Sequence, residues 1–231
     1  MKHVVITGAS GGIGKATAEL LLNNRYRVSV CSRKSASLDY YAGFPDAFAM
    51  TCDVRNISSV KAFFAAATQR FGPIQILVNN AGLGYFNKLA DSPLEEWNEM
   101  VDTNIKGLLN CLHTALPELI AEHGHIINLG SVASHNVFPN SGIYCATKHA
   151  VLAISESLRM ELSDKLRITT ISPGAVNTAF IDQTHNEQLK EQMAASFRSG
   201  MNPEAIAKAI KLAIESEEMI SEILIRPDKS R

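Results

Sequence analysis

The stretch VVITGASGGIGKATAELL, residues 4–21, decides the fold. Apolar residues Val4, Val5 and Ile6 read as a short strand, and the run from Ile13 to Leu21 reads as a helix. Between them stand Gly8, Gly12 and Gly14. Glycine permits the tight turn and lets the backbone approach a pyrophosphate closely. Unpaired N–H groups and the partial positive charge at a helix start favour such an anion. The spacing is G-x-x-x-G-x-G rather than the G-x-G-x-x-G of the widest dinucleotide-binding class. Its place between a strand and a helix gives it weight that a lone glycine pattern lacks.

The rest of the chain repeats the strand-then-helix alternation. Apolar runs at 3–8, 26–32, 47–54, 74–80, 125–131, 167–173 and 222–227 predict about seven strands. Most are continuously apolar, which suits strands covered on both faces of a parallel sheet. Helical patterns lie between them. Asn56 is the expected N-cap and Gly72 the stop of one. Ser92, Pro93 and Glu95 form an expected capping box for another. That pattern, 92–124, is long enough to be two helices or one bent helix, with Ile105, Leu108, Leu109, Leu112, Leu116 and Leu119 on one apolar stripe. Asn202-Pro203 opens a later helix. Right-handed crossovers then give an α/β fold, a doubly wound parallel sheet with helices on both faces. No linker or repeat interrupts it, so 1–231 reads as one domain.

Composition bounds the partners. The 231 residues are 46% apolar and 19% charged, with a net charge of −1. No basic excess exists to neutralise a nucleic-acid backbone. No apolar run approaches the roughly 18 residues of a membrane span. The apolar run before Gly8 is too short for a signal peptide. Cys31, Cys52, Cys111 and Cys145 are scattered without a CxxC pair and read as reduced packing residues, so a cytoplasmic location is expected. His113, His123 and His125 lack a ligand-like partner set, and no metal site is expected.

The end of the second strand discriminates between NAD and NADP. NAD sites usually place an acid there, about 20 residues past the glycines, for the ribose hydroxyls. Here Ser32 stands at that position, followed by Arg33 and Lys34. An acid would repel the extra phosphate of NADP, whereas an arginine fork can bind it. NADP is therefore favoured over NAD. Further on, SGIYCATKHA (141–150) places Tyr144 and Lys148 one helical turn apart on one face. Alone, that pair reads as a half-buried tyrosine beside a snorkelling lysine.

Taken together, the motifs carry a resemblance. TGASGGIG (7–14), CDV (52–54), NNAG (79–82), Asn104 within VDTNIKG, GS (130–131), YCATK (144–148) and SPGAVNT (172–178) occur in order. The chain is similar over nearly its whole length to the short-chain dehydrogenases/reductases, in their main, 3-oxoacyl-carrier-protein-reductase-like branch. The resemblance implies a Rossmann fold and hydride transfer between NADP(H) and a carbonyl or secondary alcohol. It implies that Tyr144 is the general acid/base, that Lys148 acidifies it and holds the nicotinamide ribose, and that Ser131 binds the substrate oxygen. Asn104 would hold a water that links Lys148 to solvent. An unperturbed phenol titrates near about 10, so a neighbouring ammonium and the positive nicotinamide ring are together expected to pull Tyr144 down. The implied cofactor contacts are Gly8, Ser10, Gly12, Ile13 and Gly14 in the loop, Ser32 and Arg33 after it, and Asp53 and Val54 beside the adenine. Asn80, Ala81 and Gly82 would line the ribose side, with Asn79 bracing the sheet. Pro173, Gly174, Val176 and Thr178 would run beside the nicotinamide.

Residues 179–201 are the expected substrate lid, with Phe180, Ile181, Met193 and Phe197 as its apolar cover. Leu83, Tyr85, His135, Val137 and Phe138 are expected to rim a pocket for a moderately apolar ketone or alcohol. The helix at about 142–162 is apolar or small nearly all round through Ile154, so a partner subunit is expected, in a homodimer or homotetramer. The alternatives are an NAD-linked enzyme of the same type and a non-catalytic dinucleotide-binding redox sensor.

Overall fold

In the computed structural model, which describes residues 1–228, all seven expected strands form. They are β1 (His3–Thr7), β2 (Arg27–Ser32), β3 (Ala47–Thr51), β4 (Ile76–Asn79), β5 (His125–Leu129), β6 (Arg167–Pro173) and β7 (Glu222–Ile225). They make one parallel sheet in the order β3-β2-β1-β4-β5-β6-β7. The order reverses between β1 and β4, and that is where a doubly wound sheet opens a crevice at its carboxyl edge.

Both faces of the sheet are covered, which is why its strands read as unbroken apolar runs. Along β1, Val4 and Ile6 point to one side and Val5 to the other. On the first side pack α1 (Gly12–Leu22) and α7 (Pro203–Glu215), through Ala18, Leu21, Ile206 and Ile210. On the second pack α2 (Ile57–Phe71), α4 (Gly107–Ala121) and α5 (Gly142–Leu162), through Phe63, Leu112, Leu119 and Val151. Each such Leu, Ile, Val or Phe side chain, fully buried, stabilises the fold by about 1.5–3 kcal/mol before chain entropy is subtracted.

Some helix ends follow the local sequence and others do not. The Asn56 side chain accepts from the Ser58 and Ser59 N–H groups at 2.9 and 3.2 Å, capping α2 as expected. Asn56 is exposed, so Asn56→Ala removes the cap without opening a cavity. It should cost about 1 kcal/mol in urea denaturation, with the slope unchanged. The capping box at Ser92 does not form. Pro93 takes the cap position of α3 (Leu94–Val101), and the Ser92 hydroxyl donates back to the Lys88 carbonyl at 2.9 Å.

The long pattern at 92–124 is two helices joined by a π turn, Asp102–Lys106. The extra residue rotates the face that follows. Leu108, Leu112 and Leu119 stay buried, but Leu109 leaves the expected stripe and is exposed. Sheet ends also fall short of the sequence runs. Asp53, Val54, Asn80 and Ser131 lie just past their strands, in the connections that turn over the carboxyl edge.

Candidate functional site

At that edge lies a cavity of about 710 Å³. Every residue expected in catalysis or cofactor binding lines it except Gly14 and Asn104, which lie immediately behind its wall. One half of the cavity is built from the glycine loop and the ends of β2, β3 and β4. The other half is walled by α5, the connection after β5 and residues 179–197.

The glycine loop is held from behind. Asn80 donates from Nδ2 to the Thr7 and Gly8 carbonyls, both at 2.9 Å. The Thr7 hydroxyl accepts from the Asn80 and Ala81 N–H groups at 3.2 and 3.1 Å. Asn80 thus braces the loop as well as lining the cavity. Gly8 has φ +72°, and a Cβ there would lie 2.7 Å from the Ala81 Cα. A Cβ on Gly14 would lie 2.5 Å from the Gly8 oxygen and from Asn80 Nδ2. No side chain caps α1, so its first-turn N–H groups are left for a ligand. A loop this tightly drawn in, over an uncapped helix start, fits a dinucleotide pyrophosphate.

Tyr144, Ser131 and Lys148 meet where the two halves join. Ser131 caps a single turn, Val132–Ser134. Its hydroxyl accepts from the Ala133 N–H at 3.1 Å, while Ser134 Oγ accepts from the Ser131 N–H at 3.1 Å. This fixes the Ser131 side chain and leaves its proton free to donate. Lys148 is buried, its Nζ donating to the Leu129 carbonyl at 2.8 Å and lying 5.8 Å from the centre of the Tyr144 ring. Burial pushes Lys148 down to about 8. Burial pushes Tyr144 up to about 12, against the opposing hydrogen bond of Ser131. The expected acidification invokes the ammonium together with the positive nicotinamide ring; among the protein's own groups burial opposes it. Lys148 spends its charge on a carbonyl, and dehydration of the phenol dominates.

Asn104 occupies the π turn. Its Oδ1 accepts from the Leu83 N–H at 2.9 Å, and its Nδ2 donates to the Leu83 carbonyl and to Thr147 Oγ1 at 2.8 and 3.0 Å. Both Nδ2 protons are engaged, so a water here would be met by the second lone pair of Oδ1 or by the backbone of the turn. Beside it is a cavity of about 10 Å³, lined by Asn104, Lys148 and Asn79, large enough for one water. Asn79 braces the sheet as expected, donating to Asn128 Oδ1 at 2.9 Å, and its own buried Oδ1 has no partner.

The rim of the half built on the glycine loop is charged. Arg33 and Lys34 line it. Arg33 Nη1 donates to Glu99 Oε1 at 3.0 Å, a partner that the sequence reading missed. Asp53 is gripped by Arg55, which holds its carboxyl below the ordinary range.

The substrate half is aromatic. The Phe180 ring centre lies 5.6 Å from that of Tyr144 and 6.3 Å from that of Phe197, and Phe86 lies 5.7 Å from Tyr144. Met193 lines the same wall, whereas Ile181 is buried behind it. Of the five expected rim residues only Phe138 lines the cavity. Leu83 is buried behind the wall, and the Tyr85 hydroxyl donates to Glu99 Oε2 at 2.5 Å. His135 pairs with Glu222 at 2.7 Å, and Val137 points to solvent. Phe86 was missed. Gly84 was its only local signal: a Cβ there would lie 2.9 Å from Phe180 and 3.1 Å from Tyr144, so a glycine is required for the rings to close.

Ser131, Tyr144 and Lys148 thus stand at the centre of a glycine-seated crevice on a doubly wound sheet. The short chain dehydrogenase family model matches residues 2–189, and the chain belongs to that family. It is 40% identical to an uncharacterised oxidoreductase of Staphylococcus saprophyticus, over 98% of this chain and 96% of that one. Among solved structures it is similar to an alcohol dehydrogenase of the archaeon Thermococcus sibiricus complexed with 5-hydroxy-NADP. The TM-score is 0.88 and the identity 29%, covering 100% of this chain and 98% of that one. It is also similar to a short chain dehydrogenase/reductase of Burkholderia phymatum in complex with NAD. There the TM-score is 0.89 and the identity 28%, covering 96% and 88%.

Proposed function

We propose that this chain reduces a neutral, moderately apolar ketone, or oxidises the matching secondary alcohol, with NADP(H) as hydride carrier and Tyr144 as general acid/base. The observation that carries this reading is the convergence of Ser131, Tyr144 and Lys148 at the junction of the two halves of one cavity. Relatives solved with 5-hydroxy-NADP and with NAD support a nicotinamide dinucleotide here. Arg33 and Lys34 at the rim, with Ser32 in place of an acid, favour NADP.

The protein's own groups divide the work. The glycine loop and the start of α1 hold the pyrophosphate. Lys148 gives one N–H to Leu129 and has two left for the ribose hydroxyls. When bound, the nicotinamide supplies the hydride. Ser131 donates to the substrate oxygen and sets its distance from Tyr144. Tyr144, kept protonated by burial, gives its proton to that oxygen in reduction. Lys148 and a water in the neighbouring small cavity return the proton. Residues 179–201 act as the lid, Phe180 and Phe197 closing on Phe86 and Tyr144 to exclude water. Among the described residues, those of 179–197 that line the cavity include Gln183 and Gln192 but no charged side chain, and Lys148 is given to the Leu129 carbonyl and the ribose, so a substrate carboxylate would be desolvated without a partner. The outer face of α5, with Ala146, His149 and Ala153 exposed, would be covered in a homodimer or homotetramer.

The test is NADPH and NADH oxidation with a panel of neutral aryl and alkyl ketones and of 2-keto acids. Neutral ketones should turn over with NADPH, and keto acids of like size at least about tenfold less efficiently. No turnover of any ketone with either cofactor would overturn the reading. The pH profile is a second check. Reduction needs both groups protonated, Lys148 loses its proton near 8, and Tyr144 keeps its own until about 12. Hence kcat/KM for NADPH should be flat below pH about 8 and fall towards about tenfold per unit above it. A profile still level at pH 10 would contradict the role given to Lys148.

A further inference from the structure

The geometry points to Glu99 as the residue that sets how strongly the site prefers NADP over NAD, by holding back part of the charge of Arg33. The inference rests on the proposal that Arg33 meets the extra phosphate of NADP.

Glu99 lies in α3, far from Arg33 in sequence, and does not line the cavity. It reaches the cofactor only through other side chains. Its Oε1 accepts from Arg33 Nη1 at 3.0 Å and from Arg55 Nη1 at 3.2 Å, and its Oε2 accepts from the Tyr85 hydroxyl at 2.5 Å. Arg55 is already forked on Asp53, with Nε on both carboxylate oxygens and Nη2 at 2.7 Å from Oδ2. Asp53 therefore balances Arg55, and Arg33 takes the larger share of the charge on Glu99. The Tyr85 hydroxyl, and then Arg33, hold Glu99 below the ordinary carboxylate range, so it is ionised at neutral pH.

Arg33 is 44% exposed and tied by one nitrogen, so its remaining N–H groups can meet a phosphate. A phosphate bound there faces a carboxylate directly behind the guanidinium, and the two anions repel. NADH has no phosphate at that place and escapes the repulsion. Glu99 thus weakens NADPH selectively, and the arginine after β2 discriminates less than it would alone.

The test is a double-mutant cycle read by cofactor fluorescence, with dissociation constants for NADPH and NADH on the intact chain. Glu99→Gln keeps an acceptor for Tyr85 and the shape of the side chain while removing the charge. It should tighten NADPH roughly three- to fivefold, on the scale of a part-exposed ion pair, and move NADH less than about twofold. The gain should shrink at high salt and vanish in the Arg33→Ala background. Arg33→Ala alone checks the underlying proposal: if it leaves NADPH affinity unchanged, Arg33 does not meet the phosphate. If Arg33→Ala weakens NADPH but Glu99→Gln fails to tighten it, Glu99 orients Arg33 instead, and the inference is overturned while that proposal stands. Equal changes for both cofactors would also overturn it, since they would mean an effect through the fold.

Discussion

Tyr144→Phe is expected to lower the turnover of a ketone by NADPH about 10³-fold while NADPH affinity changes by less than about twofold. The ring of Tyr144 packs against Phe86 and Phe180 with centres 5.7 and 5.6 Å away, and neither contact uses the hydroxyl. Phenylalanine keeps that packing and removes only the proton. Ser131 remains to bind the substrate oxygen, so binding and hydride alignment persist and proton delivery fails. The measurement is single-turnover NADPH oxidation beside a fluorescence titration of NADPH. A loss confined to affinity would make Tyr144 a binding residue. Turnover within tenfold of the parent would remove it from the chemistry.

Gly14→Ala carries the second large effect, and two arguments give it opposite signs. Within a helix, alanine is favoured over glycine by about 1 kcal/mol, so local propensity alone predicts a more stable protein. The packing predicts the reverse. The new Cβ would stand 2.5 Å from the Gly8 carbonyl oxygen and from Asn80 Nδ2, and 3.1 Å from the Ala9 Cα. Two of these three are backbone atoms of the loop itself, and Asn80 is tied to the Thr7 and Gly8 carbonyls at 2.9 Å. None can yield without moving the loop off the helix start. The expected result is a loss of about 1–3 kcal/mol of stability and a fall of at least about 100-fold in NADPH affinity, read by thermal melting and fluorescence titration. A stabilised variant with parental affinity would show that the loop is not the phosphate seat.

Glycines flanked by a strand and a helix, continuous apolar runs, and a tyrosine and lysine one turn apart are local patterns. Backbone sterics, burial of both faces of a strand and helix periodicity read them without reference to the rest of the chain. That is why the seven strands, the loop at 7–14 and the Tyr144–Lys148 pair stood in the amino-acid order itself. Contacts between distant segments were not legible. Glu99 reaches Arg33 from another element, and nothing in the residues around 99 marks it. The rim of the substrate half was misread because Leu83 and Tyr85 lie in a connection without a period. Packing turned them inward, and Gly84 brought Phe86 to the wall instead. The proton on Tyr144 depends on burial and on the carbonyl that Lys148 finds. Only the folded chain decides either, because desolvation is a property of the surroundings, not of the residue.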